Sequence, residues 1–227
     1  MSTLTVGGQA LTLLPEKAAF LPDSRTLLVA DVHIGKAVSF RSFGVPVPRG
    51  TTGETLAALS ALISRLALRR IVVLGDFLHS ARALAPATWR TLSSWRDTHA
   101  DLEITLVRGN HDRRAGDPPL ELGIAVVDEP YRLAGLALCH HPRRLPGAYV
   151  LAGHLHPCVH LHGRANDRLR LPCFWFGAAL GVLPAFGAFT GMHPIRPAAG
   201  ERVFAIADGH VAELPQPVGP VSTEGRR

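Results

Sequence analysis

Long apolar runs are missing from this 227-residue chain. Although 47% of its residues are hydrophobic, no stretch reaches the ~20 apolar residues that a membrane span requires. A basic segment followed by an apolar stretch and a cleavage site is also lacking at the N-terminus, so no secretory leader is expected. Cysteine is scarce: Cys139, Cys158 and Cys173 are odd in number and show no Cys-x-x-Cys spacing. They argue against a disulfide framework and read as reduced thiols of a cytoplasmic protein. Lysine is scarcer, occurring only at positions 17 and 36, so arginine supplies nearly all of the 24 cationic residues. Acid is in deficit, which leaves a net charge of +6. Arginine binds phosphate bidentately, and an Arg-rich basic surface suits a polyanionic partner. GC-rich coding would raise arginine everywhere, however, so charge alone favours nucleic acid only modestly.

What the chain does have is five polar clusters, each just after an apolar run. They are Asp31-Val32-His33, Gly75-Asp76-Phe77-Leu78-His79, Gly109-Asn110-His111-Asp112, Cys139-His140-His141 and Gly153-His154-Leu155-His156. The preceding runs cover residues 26–30, 71–74, 104–107, 136–138 and 148–152. Short runs rich in Val, Ile and Leu read as buried strands. Strands that each end in a carboxylate, imidazole or carboxamide would gather those groups at one sheet edge, where open α/β sheets hold ligands. Asp, Asn and His are donors suited to divalent manganese, iron or zinc. Two metals ~3.5–4 Å apart need a shared ligand. A carboxylate bridges more readily than an imidazole, and Asp76 is the natural bridge because its strand should lie between those of Asp31 and Asn110.

The order Asp-x-His, Gly-Asp, Gly-Asn-His-Asp, His, Gly-His-x-His resembles the calcineurin-like metallophosphoesterases, across residues 31–156. Four flanking stretches extend the likeness over nearly the whole chain. They are 31–37 (Asp-Val-His-Ile-Gly-Lys-Ala), 45–52 (Val-Pro-Val-Pro-Arg-Gly-Thr-Thr), 171–177 (Leu-Pro-Cys-Phe-Trp-Phe-Gly) and 186–191 (Phe-Gly-Ala-Phe-Thr-Gly). Within the family they resemble the bacterial ligase-associated DNA damage response endonucleases.

The resemblance implies an α/β fold: a four-layer sandwich of two mixed β-sheets packed face to face with flanking helices. It implies two divalent metal ions, manganese foremost, with iron, zinc or cobalt as alternatives. One would be held by Asp31, His33, Asp76 and His156, the other by Asp76, Asn110, His140 and His154. The implied reaction is DNA phosphodiester hydrolysis in a repair pathway, by attack of a metal-bridging hydroxide. His111 would protonate the leaving oxygen and Asp112 would orient its imidazole. A DNA ligase, a helicase and an exonuclease are the implied partners. Nucleotides, cyclic nucleotides, RNA or phosphoproteins are alternative substrates, and a non-catalytic scaffold of the same fold is a third reading.

Further expectations concern substrate. Lys36 and Arg41 follow the first ligand pair, and Arg113 follows the His111–Asp112 dyad. His79 reads as supporting the ligands or facing substrate. Strand alternation points His140 and His141 to opposite faces, which leaves His141 to touch phosphate or solvent. In Phe174-Trp175-Phe176 the two phenylalanines share a face, so Trp175 is the candidate for stacking on a base. His160, His162, His193 and His210 lack companions at ligand spacing and read as structural.

Along the chain, residues 4–14 read as a hairpin and residues 34–51 as a long loop beside the site. Residues 52–68 carry apolar positions at helical spacing with Thr51 or Thr52 as cap, and a second helix starts at Pro86 and runs to about residue 98. From residue 124 onward short strands follow: 124–127, 131–133, 136–140, 148–152, about 158–161, 168–170, 173–176 and 202–207. One domain over 1–214 is expected, with a flexible tail over 215–227 that is rich in Pro and Gly.

Overall fold

The computed structural model describes residues 1–42, 44–47, 50–162, 168–188 and 190–215. Phe189, Arg49 and residues 216–227, the bulk of the expected tail, lie outside the described residues.

Two mixed sheets are present, with helices outside, as the sequence implied. The first has seven strands in chain order: β1 (Ser2–Val6), β2 (Gln9–Leu14), β3 (Ala18–Leu21), β4 (Thr26–Val29), β5 (Arg70–Leu74), β6 (Glu103–Val107) and β7 (Ile124–Val127). β1 to β4 are antiparallel, while β4 to β7 are parallel, with Val29 beside Val73 and Leu74 beside Val107. The second sheet collects β8 (Tyr131–Leu133), β9 (Leu136–Leu138), β10 (Tyr149–Ala152), β11 (Pro157–His162), β12 (Arg168–Phe176), β13 (Leu180–Val182), β14 (His193–Pro194), β15 (Arg202–Ala207) and β16 (His210–Glu213). Here β9, β10 and β13 are parallel neighbours.

The apolar runs are continuous because their strands are covered on both faces. Along β4, Leu28 faces the space between the sheets with Val72, Leu74, Leu138, Leu151, Phe174 and Phe204. Leu27 and Val29 face the other way, against α2 (Thr51–Leu66) and α3 (Pro86–Thr98) through Leu56, Leu59, Leu62 and Leu92. Trp89 and Trp95 pack on this second cluster, and Trp95 donates its ring N–H to Ser60 Oγ at 3.0 Å.

Three local expectations change. Residues 36–42 form a short helix, α1 (Lys36–Ser42), where a loop was expected; Gly44, Pro46, Pro48 and Gly50 obscured its roughly two turns. The cap of α2 is Gly50 in a left-handed conformation, with Thr51 and Thr52 already inside the helix. The runs 168–170 and 173–176 are one strand, β12. Pro172 lies within it where only β11 is paired, opposite Cys158, since the ladder to β15 begins at Cys173. A proline there removes no ladder hydrogen bond on the open side.

Phe174 is fully buried between the sheets. Phe174→Ala should cost about 3–5 kcal/mol of stability, read from urea unfolding. Trp175→Ala, on the opposite face of the same strand, should cost less than half of that.

Candidate metal centre

β4, β5 and β6 end at the same edge, and each delivers its polar cluster within two or three residues. β9 and β10 end at that edge from the other sheet. An isolated bridge between Ala30 and Ala185 and a hydrogen bond from Asp31 N to Gly75 O tie these loops together. Among the described residues, ten non-glycine residues have positive φ, and five of them are Asp31, His33, Asp76, His154 and His156. Left-handed backbone costs non-glycine residues free energy and concentrates where side chains must be aimed. Gly75 (φ +78°) and Gly109 are required by close approach: a Cβ at Gly75 would collide with the His140 ring, and one at Gly109 with the Asp76 carboxylate.

The seven residues proposed as ligands converge around Asp76. Its Oδ2 lies 4.0 Å from Nε2 of His33 and 4.0 Å from Nε2 of His111, while its Oδ1 lies 3.5 Å from His140 Nε2. On one side Asp31 Oδ1 is 3.3 Å from His156 Nε2. On the other, His140 Nε2 is 2.8 Å from Asn110 Oδ1 and 3.0 Å from His154 Nδ1. Asp31 and His140 are fully buried, Asp76 and His33 nearly so, and His154 is exposed at the rim.

The donor set fits divalent cations. Asp31 Oδ1 and His33 Nδ1 are buried without a hydrogen-bond partner, an arrangement that costs free energy unless an ion or another polar group meets them. Backbone carbonyls hold the far side of two rings: Leu74 O faces His140 Nδ1 at 3.0 Å and Gly191 O faces His156 Nδ1 at 2.9 Å. An N–H committed there leaves the Nε2 lone pair directed into the cluster. Burial, with the cationic neighbourhood of Lys36 and other histidines, drives His33 far below the usual imidazole range. Burial also lowers His140 and His154. Neutral imidazole is the ligating form. For His156 burial is outweighed by contact with Asp31, and its pKa rises. Burial and the charge of Asp31 raise Asp76. Grouped by ligand-atom proximity, Asp31–His33–His156, Asp31–Asp76–His140, His140–His141–His154 and His33–His79–His111 each form a trio with donor atoms within 4.8 Å.

Asp112 does not orient His111. It sits at the third position of α4 (Asn110–Ala115), so its carboxylate points back toward the helix start. There it accepts the backbone N–H groups of Asp76 (2.7 Å), Gly109 (2.9 Å) and Leu78 (3.1 Å). Asp112 therefore ties the β5 and β6 loops together. The His111 ring is held by the carbonyl oxygen of His79, 2.8 Å from its Nδ1, and stacks on the His79 ring with centroids 4.9 Å apart. Burial and the charges of Lys36 and His111 bring His79 down to about 4.

His141 also departs from expectation. β9 ends at Leu138, so strand alternation no longer governs residues 140 and 141, and both rings lie about 4.7–4.8 Å from that of His154. Glu129 arranges this. Its Oε2 accepts the backbone N–H of His140 (2.7 Å) and of His141 (2.9 Å), and its Oε1 lies 3.0 Å from His141 Nδ1. Sequence reasoning missed Glu129, and an Asp-Glu pair before a proline between two short strands carries no motif by which to find it.

The expected substrate contacts divide. Lys36 is half-buried, and Asp31 and Asp76 act on its charge, which places it beside the cluster. Arg41 instead bonds Val47 O and lines a cavity of about 470 Å³ with Thr51 and Thr88, among walls that contain none of the clustered ligands. Arg113 pairs with Asp128 at 3.0 Å. Trp175 is not brought to the site: the alternation that turns Phe174 and Phe176 inward turns it to the outer face of the second sheet, where it donates to Glu201 at 2.8 Å.

Two face-to-face mixed sheets with an Asp, Asn and His cluster at their shared edge define a metallophosphoesterase, and the chain belongs to that family. In particular it is similar to the solved Pseudomonas putida nuclease MPE. The two share 46% identity over 94% of this chain and 99% of that one, with a TM-score of 0.84. The phosphoesterase Yfce of E. coli is a distant match at 17% identity and a TM-score of 0.41, over 83% of this chain and 97% of that one. No protein-family model and no curated protein matches the chain.

Two outcomes follow from this geometry. Asp112→Ala should lower stability by about 3 kcal/mol or more, since three buried N–H groups lose their acceptor, whereas His111→Ala should unfold at the parent's urea midpoint. Manganese should raise the melting temperature of metal-stripped protein, and in Asp76→Asn that rise should shrink with the bound-metal content.

Proposed function

We propose that the chain is a divalent-metal-dependent phosphodiesterase that cuts DNA internally. The observation that carries this reading is one continuous cluster centred on a buried carboxylate: Asp76 faces His33 through Oδ2 and His140 through Oδ1, while Asp31 meets His156 and His140 meets Asn110 and His154. The similarity to a nuclease along almost the whole chain directs the choice of substrate. Asp31, His33, Asp76 and His156 would hold one ion, and Asp76, Asn110, His140 and His154 the other. Cations in such a site neutralise charge developing on a phosphoryl group and acidify water. Manganese suits this oxygen- and nitrogen-rich set.

The chain's own side chains supply the rest. His111 is about one-third exposed at the mouth of the cluster, with Nδ1 fixed by the His79 carbonyl. An N–H held there by a carbonyl keeps Nε2 aimed at the reacting group, where it would deliver a proton to the leaving oxygen. Lys36 would meet the phosphate from the side of Asp31, and His79, stacked on His111, would confine its ring. His141, held by Glu129 next to His154, would contact a phosphoryl oxygen. Repair of damaged DNA alongside a ligase, a helicase and an exonuclease is the context that the flanking sequence resemblance supports. A reducing, cytoplasmic setting agrees with three free, buried cysteines. Among the described residues no helix is long and apolar enough to cross a membrane.

Metal-stripped protein refilled with manganese tests the reading on bis-p-nitrophenyl phosphate, p-nitrophenyl phosphate and a fluorescent single-stranded oligodeoxynucleotide. Cleavage of the diester and the oligonucleotide, with the monoester intact, is the expected result. Preference for the monoester with an intact oligonucleotide would overturn it. His111→Ala should slow the oligonucleotide far more than the aryl diester, whose leaving group needs no proton.

A further inference from the structure

β11 leaves the metal centre directly, since Pro157 follows His156. It pairs antiparallel with β12, setting His160 opposite Arg170, Leu161 opposite Leu169 and His162 opposite Arg168. β13 reaches β12 only at Trp175 and Phe176, and β15 only from Cys173 onward. Among the described residues, 168–171 therefore pair with β11 alone. β13 runs parallel to β10, with Val182 beside Ala152 and opposite Trp175. The segment of β12 before Cys173 thus projects past the edge at which β10 delivers His154. At ~3.3 Å per residue, His160 to His162 stand roughly 10–16 Å beyond Pro157.

The inner face of this ribbon changes character along its length. Within the sandwich it carries Phe174 and Phe176, buried between the sheets. Two and four residues before Pro172 in the same alternation come Arg170 and Arg168, and His160 joins them from β11; all three are exposed. Leu161 and Leu171 occupy the other face. His160 and Arg170 stand directly opposite one another on this face. Several arginines elsewhere are paired with acid: Arg65 with Glu16, Arg70 with Glu103, Arg108 with Asp117, Arg143 with Glu129 and Arg202 with Glu213. Among the described residues no carboxylate lies within ion-pair distance of Arg168 or Arg170. Arg170 is held instead by the carbonyl oxygen of Met192 and by Cys158 Sγ, which steady its guanidinium without neutralising it.

We infer that this basic face is a nucleic-acid-binding surface that tracks the sugar–phosphate backbone of a DNA strand as it runs away from the metal centre. The inference rests on the reading of the site as a DNA phosphodiesterase. A cationic face with no carboxylate partner among the described residues is completed by evenly spaced external anions, and a phosphodiester chain supplies them in a line. The ribbon's place one residue beyond His156 puts that line next to the scissile bond.

The test measures anisotropy of a fluorescein-labelled single-stranded oligodeoxynucleotide at a series of salt concentrations, for the parent, Arg168→Glu and Arg168→Gln. Turnover of bis-p-nitrophenyl phosphate is followed in parallel. Arg168→Gln should weaken binding about two- to tenfold and reduce the magnitude of the log–log salt slope by about 0.7, the value for one single-strand phosphate contact. Arg168→Glu should weaken binding further, and both variants should turn over the small diester at the parental rate. Parental affinity and slope in Arg168→Gln would overturn the inference, as would a parent that hydrolyses the small diester without binding the oligonucleotide. A parent that binds the strand through Arg168 but leaves it uncut would sink the nuclease reading while upholding the surface. Should Arg168→Glu lose diester turnover through misfolding, the neutral Gln variant decides.

Discussion

Burying the carboxylates of Asp31 and Asp76 at one sheet edge is the constraint from which the rest of this structure follows. Each loses hydration, and their like charges repel across the cluster. The protein offsets part of this with backbone N–H groups: His154 N donates to Asp31 Oδ2 and His111 N to Asp76 Oδ1, both at 2.8 Å. Those donors come from other loops, so satisfying the carboxylates also positions the residues that follow. What the amides leave over, notably Asp31 Oδ1, which accepts no hydrogen bond among the described residues and faces the His156 ring at 3.3 Å, is the demand that a divalent cation would meet.

The price of that arrangement is backbone strain, and the sandwich distributes it. Strands buried on both faces hold their ends rigidly, which permits left-handed conformations at Asp31, His33, Asp76, His154 and His156 that an isolated loop would relax. Asp112 performs the corresponding service from α4, bonding three backbone N–H groups in two loops. Glu129 does so for the second sheet's contribution, by fixing His140 and His141 together. The site is thus held by two acids that need not touch substrate.

The arginine excess, ambiguous as composition, sorts once the fold is known. Arg65, Arg70, Arg108, Arg113, Arg143 and Arg202 are committed to ion pairs around the sandwich, the Arg108 cluster with Asp117 and Asp128 among them. Exposed pairs of this kind contribute little stability, but they do take charge out of play. Among the described residues the guanidinium groups of the β11–β12 ribbon have no such partners, and they stand where a strand leaving the centre would pass. Net charge counts both kinds alike.

The sequence by itself determined the order of the catalytic strands and the chemical types of the clustered side chains, because a strand buried on both faces must be written as an unbroken apolar run and its polar successor stands out. It also foretold that Phe174 and Phe176 would share a face, since a pleat has a period of two. Where the pleat stops, so did its authority: His140 and His141 lie past the end of β9 and turn together. The partners of Asp112, Glu129 and His111 were decided by tertiary structure alone. Asp112 meets Asp76 across 36 residues of sequence, and the carbonyl that holds His111 belongs to a residue 32 positions away. Backbone acceptors and donors leave no mark in residue identity, so contacts made through them become visible only when the sheets have brought their ends together.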